Sequence, residues 1–583
     1  MGAIYWKNNC RDKESLISEL QAKHKLPKAI CAVLAARGIS SEEVQAFLNP
    51  KLANLSDPYR FPGIEDAAKR LWDAVINKEP ILIHGDYDTD GITASALLSL
   101  VLRTNGANVF SFIPHRFDDG YGFTPESLEK ALAFLPGCKV LVTVDCGITS
   151  CDAVKVAHER NIDVIITDHH EASDELPEAI ALINPKIYPE LEDLQLLSGA
   201  GSSFKLSHAF VKYGREHNLG GFSTRLEEIM DYVALGTVAD IVPILGENRI
   251  MVKYGIDILR KQIRPGIRAL IESSNLKHEL APSDITFKLA PRINAAGRVG
   301  DANIALQLLE SENIVEAYKS AGDLEKFNRI RQDKEQEIYQ EAKSQIERGL
   351  AWISDYAILV AGRDWHQGVI GIVASRLARD YNRPAIVLTI QGDNAYGSGR
   401  SVGSLNLVEV LGKTSHLLER YGGHPMAVGI GLRTDMISSF FEILNKEVQK
   451  AIVSEDLVQH LAYDGEMGLG ELNRELFEYF DKLGPFGHSN PKPVFRFNGL
   501  EIVRSQAIGN GHVRGTFRSY GQQVDFIAFN RSIYSAGGKR ERQGTGHRSS
   551  VRGTGECGSC LRQYECSDLR EQPRFRQGHC CGS

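Results

Sequence analysis

The sequence predicts an α/β protein built on a parallel sheet, followed by a second α/β domain and a small C-terminal β-barrel. From residue 81 onward, apolar runs alternate with helical patterns, which is typical of βαβ units. A charged helical pattern at 312–350 separates this region from further apolar runs at 356–361 and 385–390. Short strand patterns rich in aromatic residues follow residue 461.

Length and composition indicate a globular chain with several domains. The 583 residues are 43% hydrophobic, and the first ten lack the charged and then apolar pattern of a signal peptide. No apolar run is long enough to cross a bilayer. We therefore expect a cytoplasmic protein that does not bind membranes. The net charge of −7 argues against a protein that coats nucleic acid through bulk charge, so any nucleic-acid site is local.

Carboxylates and imidazoles follow the strand candidates of the parallel sheet, which are at 81–84, 108–113, 140–144, 164–167 and 181–183. The carboxyl ends of parallel strands meet at one edge of a sheet, so residues that follow them share a crevice. We expect four groups to meet there, with the last following an apolar segment at 232–239: Asp86, Asp88 and Asp90; Asp145; Asp168, His169 and His170; and Asp240.

Each group alone has an ordinary explanation. An isolated triplet of aspartates is often a solvated loop, a single aspartate such as Asp145 or Asp240 is often a helix N-cap, and His169-His170 could be a satisfied structural pair. Together at one crevice, these like charges require a cation. Carboxylates and imidazoles without thiolates suit two Mn²⁺ or Mg²⁺ ions better than structural zinc, and Asp145 is the expected bridge between the ions.

The ordered segments resemble the DHH phosphoesterase superfamily. The resemblance is carried by His84-x3-Asp88-x-Asp90, Asp145, Asp168-His169-His170 and Asp240. Over roughly residues 1–530 the arrangement is similar to the RecJ family of single-strand-specific DNA exonucleases, through further segments at 113–117, 120–122, 291–298 and 422–429. It implies a DHH core, a DHH-associated domain and a C-terminal OB-like barrel.

The resemblance also implies roles for individual residues. His170 would stabilise the phosphate or protonate the leaving oxygen, Asp168 would orient a ligand imidazole, and Asp145 would complete the catalytic set. The implied metal ligands are His84, Asp86, Asp88, Asp90, Asp145, His169 and Asp240, although one of the first four could support the site without contacting an ion. The implied substrate residues are Arg116, Arg298, Ser398, Arg400 and His424. All but the histidine would bind a terminal 5′ phosphate. Alternatively, each arginine could be a plain surface charge and the histidine a turn residue.

The predicted domains follow from these patterns. They are a helical lead-in at 1–63, the DHH domain at 64–310, a solvent-bridging connector helix at 311–350, a DHH-associated domain with glycine loops near Gly397 and Gly422 at 351–455, and a partial OB-like domain at 456–530. Strand candidates in the last domain include 494–497. Residues 531–583 carry 10 Lys+Arg and 5 Asp+Glu and lose apolar periodicity. We interpret them as a disordered or out-of-frame tail that leaves the barrel incomplete.

The predicted function is a metal-dependent exonuclease that degrades single-stranded DNA in repair and recombination. The 5′-to-3′ direction, a monomeric state, and a single-strand-binding protein and a helicase as partners are implied by the resemblance alone. One alternative is a phosphodiesterase or pyrophosphatase for small nucleotides on the same core. Another is a non-catalytic nucleic-acid-binding protein, which would be expected to have lost ligand residues.

Overall fold

The computed structural model describes residues 5–115, 122–276, 279–458, 460–509 and 511–529. Sixteen strands lie in this part of the chain. They are β1 (Tyr5–Asn8), β2 (Pro80–Gly85), β3 (Asn108–Phe112), β4 (Val140–Val144), β5 (Asp163–Thr167), β6 (Ala181–Ile183), β7 (Trp352–Ile353), β8 (Ile358–Arg363), β9 (Ala385–Gln391), β10 (Asn394–Arg400), β11 (Arg420–His424), β12 (Ala427–Arg433), β13 (His460–Tyr463), β14 (Glu501–Ile508), β15 (His512–Ser519) and β16 (Gln522–Ala528).

The same described ranges contain nineteen α-helices, besides short 3₁₀ turns and one π-helical turn (Ile285–Leu289). They are α1 (Glu14–His24), α2 (Lys28–Ala36), α3 (Val44–Leu48), α4 (Ile64–Asn77), α5 (Thr89–Thr104), α6 (Pro125–Phe134), α7 (Cys151–Glu159), α8 (Gly199–Glu216), α9 (Met230–Ala239), α10 (Gly246–Lys261), α11 (Pro265–Ser273), α12 (Pro282–Asp284), α13 (Ala290–Val299), α14 (Asn303–Glu310), α15 (Ile314–Glu347), α16 (Gln367–Tyr381), α17 (Leu407–Gly412), α18 (Ile437–Ala451) and α19 (Arg474–Leu483). None of these helices combines the length and the apolar character that crossing a membrane requires.

The first sheet is parallel throughout and has the strand order β3-β2-β4-β5-β6. Alternate residues of its central strands enter two different cores. Ile81 and Val142 belong to the larger core, whereas Leu82 and Leu141 belong to a second core on the other face. A sheet that is covered on both faces explains the continuous apolar runs. The α/β class is confirmed, and the five strands lie within one residue of their predicted positions.

The second sheet has the order β11-β12-β10-β9-β8-β7, in which only β8 and β9 are parallel. Glycine loops were predicted near Gly397 and Gly422, but the structure has strands β10 and β11 there. The glycines of both strands pair in antiparallel register with β12. The helix predicted at 311–350 exists as α15. It does not simply bridge solvent, since Leu324 packs in the first core and Ile338 in a core of the second sheet.

A second compact unit combines residues 6–49 with residues 460–486 and the described residues between 490 and 529. Strand β1 pairs with β13 within it, so the segment predicted as a helical lead-in also contributes a strand. Strands β14, β15 and β16 form an antiparallel sheet, in which Phe517 and Phe526 stack and are buried. Residues 494–497, predicted as a strand, make only an isolated bridge between Arg496 and Glu466. The predicted tail lies outside the described residues.

A buried ion pair anchors α8, the helix that begins beside the candidate site. Lys205 on α8 is fully buried, and its Nζ lies 2.6 Å from Glu247 Oε2 on α10. The ammonium also donates to the backbone and side-chain oxygens of Ser56, whose own N–H donates to Glu247. Removing one partner would leave an uncompensated charge inside the protein.

We predict that Lys205→Ala lowers the free energy of unfolding by about 3–5 kcal/mol, because Glu247 would remain buried without its counter-ion. The matched control is Lys212→Ala, which removes a partly exposed partner of Asp57 from the same helix and should cost about 1 kcal/mol or less. Thermal unfolding followed by circular dichroism measures both. Equal shifts in the melting temperature would contradict the assignment.

Candidate metal centre

Asp86, Asp88 and Asp90 lie where β2 leads into α5, and the last two make different structural contacts. Asp88 caps α5, because its Oδ1 accepts hydrogen bonds from the N–H groups of Asp90 and Gly91 at 2.9 and 3.3 Å. Asp90 is buried, and its carboxylate accepts the N–H groups of Gly199 and Ala200 at the start of α8, at 2.6 and 3.0 Å. The N-terminus of a helix favours negative charge, so α8 helps to hold this carboxylate ionised.

Asp145 follows β4 in a strained conformation. Its φ of 60° lies in the left-handed region that residues with a side chain rarely adopt. Strain of this kind persists where the surrounding structure fixes a functional side chain. Gly199 makes room for the carboxylate, because a Cβ atom there would lie 2.4 Å from Asp145 Oδ1.

His169 lies close to carboxylates from three different elements. Its Nε2 lies 3.0 Å from Asp145 Oδ1, 3.6 Å from Asp240 Oδ2 and 3.9 Å from Asp90 Oδ2. We expected Asp240, like the other three groups, to follow a strand, but it does not. It ends helix α9, and the next residue, Ile241, has a φ of 61° that turns the chain away.

Asp168 organises the turn after β5. One of its oxygens accepts the N–H groups of His169 and His170 and lies 2.7 Å from His170 Nδ1, while the other accepts the N–H of Ile148. Asp168 therefore orients an imidazole, as predicted. The ring that it holds is His170 rather than the ligand candidate His169.

The predicted ligands lie close enough together to bind ions, with one exception. Three sets of ligand atoms lie within 4.8 Å of one another: Asp86, Asp88 and Asp145; Asp90, His169 and Asp240; and Asp145, His169 and His170. Asp145 belongs to the first set, and its Oδ1 lies 3.0 Å from His169 Nε2 of the second, so it lies between these two sets as a bridging ligand would. His84 is in none of these sets. Its ring is buried beside Phe123, with Nε2 3.0 Å from Ser127 Oγ.

The protonation equilibria indicate that the cluster needs a cation. Burial and the charge of Asp88 raise the pKa of Asp90 to about 7, and burial together with Asp90 raises the pKa of Asp240 to about 8. The same two causes raise the pKa of Asp145 well above its ordinary value. Burial, followed by the nearby His170, lowers the pKa of His169 to about 3 and leaves its lone pair available. Oxygen and imidazole donors in this state fit Mn²⁺ or Mg²⁺.

The pKa of His170 is shifted in the opposite direction to that of His169. Burial lowers its pKa, but the hydrogen bond to Asp168 and the charge of that carboxylate outweigh burial and raise the pKa to about 9. His170 is therefore a cation at neutral pH. Its ring centroid lies 6.3 Å from that of His424 on β11, so both imidazoles lie at the same mouth.

Arg298, Ser398 and Arg400 line a cleft of about 720 Å³ that also contains Asp86 and Asp88, whereas His424 is not among the residues that line it. Arg298 donates from Nη1 to the carbonyl of Gly368 at the start of α16, at 3.0 Å. Arg400 donates from Nη1 to Ser398 Oγ, at 2.9 Å. Arg116 lies outside the described residues.

Two kinds of residue were missed from the sequence. Asn294 Oδ1 accepts both the N–H and the hydroxyl of Thr89, at 2.8 and 2.7 Å, and so ties α13 to the turn of aspartates. Tyr396 and Arg420 also line the cleft. The alternation of Tyr396, Ser398 and Arg400 is the signal that could have placed Tyr396 there, since alternate residues of a strand share a face.

Comparisons with known proteins agree with this architecture. The DHH family N-terminal domain matches residues 80–237, the DHHA1 domain matches residues 354–450, and the RecJ OB domain matches residues 463–544. The single-stranded-DNA-specific exonuclease RecJ of Dickeya dadantii is 36% identical over 532 residues, which cover 88% of this chain and 91% of that protein. The chain belongs to the RecJ family.

Other RecJ proteins give the same picture. The RecJ of Bacillus subtilis is 35% identical over 91% of this chain, which spans 66% of that relative. The crystal structure of Thermus thermophilus RecJ in complex with Mn²⁺ matches with a TM-score of 0.75 and 29% identity, over 90% of this chain and 73% of that one. Its complex with Mg²⁺ matches with a TM-score of 0.68 and 28% identity, over 88% and 70%. The RecJ OB match continues 14 residues past residue 530, where the atypical tail was predicted to begin.

We predict that Asp145→Asn lowers exonuclease activity on single-stranded DNA by at least about 100-fold, because the carboxylate shared by two ligand sets is lost. It should also abolish the rise in melting temperature that Mn²⁺ causes. Asp152→Asn is the control, since Asp152 is an exposed carboxylate on the next helix. Full activity of Asp145→Asn would contradict the bridging role.

We predict that Mn²⁺ raises the melting temperature more at pH 8 than at pH 6. At pH 6 the raised pKa values leave Asp90 and Asp240 protonated, so an ion must displace protons to bind. For the same reason, the contribution of these carboxyls to the stability of the metal-free protein falls as the pH rises from about 4 to about 8. Thermal unfolding with and without Mn²⁺ tests this, and equal stabilisation at both pH values would contradict it.

Proposed function

We propose that this chain is a metal-dependent exonuclease that removes nucleotides from the 5′ end of single-stranded DNA. The observation that carries the proposal is the single cleft that joins two metal-site carboxylates, Asp86 and Asp88, to Arg298, Ser398 and Arg400. A site that binds a terminal phosphate beside a hydrolytic centre acts on chain ends. The names of the relatives support single-stranded DNA as the substrate.

The bound ions would activate water and hold both oxygens of an in-line phosphoryl displacement. The ions would be held by Asp86, Asp88, Asp90, Asp145, His169 and Asp240. His170, kept protonated by Asp168, is placed to stabilise negative charge on the phosphate or to supply a proton to the leaving oxygen. His84 stays a prediction as a ligand, and its contacts favour a packing role behind β2.

The phosphate end of the cleft is built for an anion. The start of α16 lines the cleft through Gln367 and Gly368, and in its second turn a Cβ atom on Gly371 would come within 3.0 Å of Ser398 Oγ and 3.1 Å of Arg400 Nη2. Helix N-termini and planar guanidinium groups both favour phosphate. We propose that this end reads the 5′ phosphate, which sets the direction of digestion.

Hydrolysis of small nucleotides would use the same centre. The antiparallel sheet of β14, β15 and β16 favours a longer strand, because it carries Arg504, Arg514 and Arg518, and basic residues on such sheets contact the backbone of single strands. The filled ligand positions argue against a non-catalytic protein. A cytoplasmic location, a monomeric state, and a helicase and a single-strand-binding protein as partners are further proposals from the family resemblance.

The deciding experiment follows degradation of labelled single-stranded, double-stranded and dinucleotide substrates with Mn²⁺ and with Mg²⁺. We expect the single strand to be degraded from its 5′ end, faster than the duplex and the dinucleotide. Degradation of the dinucleotide alone would favour the small-substrate alternative.

We predict that Arg400→Gln lowers kcat/KM for a 5′-phosphorylated single strand by about 10- to 100-fold, because a charged hydrogen-bonding partner of the phosphate is lost. The variant should degrade 5′-phosphate and 5′-hydroxyl strands at similar rates. Arg379→Gln, an exposed arginine on α16, is the control. An undiminished preference for the 5′ phosphate in Arg400→Gln would refute the phosphate pocket.

A further inference from the structure

One face of the second sheet forms the floor of the cleft. In β10, the alternate residues Arg400, Ser398 and Tyr396 lie opposite Ala427, Gly429 and Gly431 of β12. These three residues in turn lie opposite His424, Gly422 and Arg420 of β11. Residues in register share a face, so the floor has three rows, each with a small residue in the middle.

The rows differ in their distance from the metal centre. His424, in the first row, is the member whose ring lies near His170. Alternate residues of a strand are about 7 Å apart, so the third row lies about 14 Å farther along the strands than the first. Arg400 and Ser398, which belong to the proposed phosphate site, occupy the first and second rows.

The third row brings an arginine next to an aromatic ring. Gly431 lets the Arg420 side chain cross the middle strand, because a Cβ atom there would lie 2.9 Å from Arg420 Cγ and 3.1 Å from its Nε. The guanidinium carbon then lies 4.9 Å from the centroid of the Tyr396 ring. Across the described parts of the chain, no carboxylate forms an ion pair with Arg420, whereas Arg433 on the neighbouring strand pairs with Asp435.

We propose that Arg420, supported by Tyr396, stacks on the base of the 5′-terminal nucleotide. This inference rests on the proposed function, since it concerns the same substrate. The Arg420 guanidinium lies over the tyrosine ring and both residues line the cleft, and guanidinium planes are a common stacking surface for unpaired bases. The third row lies one step of about 7 Å beyond Ser398, within the reach of a base whose 5′ phosphate is bound in the second row. Stacking accepts any base, as an exonuclease without sequence preference requires.

A second backbone phosphate is the competing ligand for Arg420. The arrangement favours a base, because the arginine lies over an aromatic ring beside the site proposed to receive the terminal phosphate. A phosphate contact would not depend on the presence of a base, and this difference separates the two.

The test compares two 5′-phosphorylated single strands that are identical except for the terminal residue, which is a normal nucleotide in one and an abasic tetrahydrofuran in the other. We expect the wild-type protein with Mn²⁺ to remove the normal terminal residue with a kcat/KM about tenfold higher. Arg420→Ala and Tyr396→Ala should reduce this ratio towards one by slowing removal of the normal residue only. Tyr396→Phe, which keeps the ring, and Arg379→Ala, which lies outside the cleft, should keep the wild-type ratio.

The outcomes are distinct. Equal rates for the wild-type protein on both strands would overturn the stacking subsite while leaving the exonuclease proposal intact. Equal slowing of both strands by Arg420→Ala would also overturn it and would indicate a phosphate contact. If the wild-type protein degrades neither strand, the proposed function itself fails. A wild-type ratio of one would overturn the stacking subsite whatever the stability of the variants.

Discussion

The structure depends on holding several buried carboxylates together at one edge of a parallel sheet. Burial and mutual repulsion both oppose their ionisation, and the raised pKa values of Asp90, Asp145 and Asp240 record that opposition. The protein offsets part of this cost with backbone N–H groups. The rest requires divalent cations, so the same repulsion that destabilises the metal-free centre gives it its affinity for metal.

Helices, rather than strands alone, fix the positions of these carboxylates. Helix α8 donates two N–H groups to Asp90 and leaves space at Gly199 for Asp145. Helix α13 reaches the turn of aspartates through Asn294 and the second sheet through Arg298, which contacts the start of α16. One helix therefore contacts both the metal centre and the phosphate end of the cleft.

Sequence reasoning succeeded where a pattern has one physical explanation. The five strands of the parallel sheet were found because strands buried on both faces give short apolar runs between helical patterns. Asp240 was expected at the end of a strand because a buried helix such as α9 also gives an apolar run without an amphipathic period. The glycines of β10 and β11 suggested loops, although they lie in antiparallel strands on either side of β12. The role of His84 could not be predicted, since a histidine near the end of a strand can bind a metal or pack against Phe123.

The long helix α15 has a consequence for how this chain can change in evolution. Its 34 residues place side chains in two separate cores, with Leu324 in one and Ile338 in the other. Inserting a single residue between them would rotate one end by about 100° relative to the other, because an α-helix has 3.6 residues per turn. The length of the segment between the two cores is therefore fixed. Substitutions on its exposed side are tolerated, whereas insertions and deletions are not.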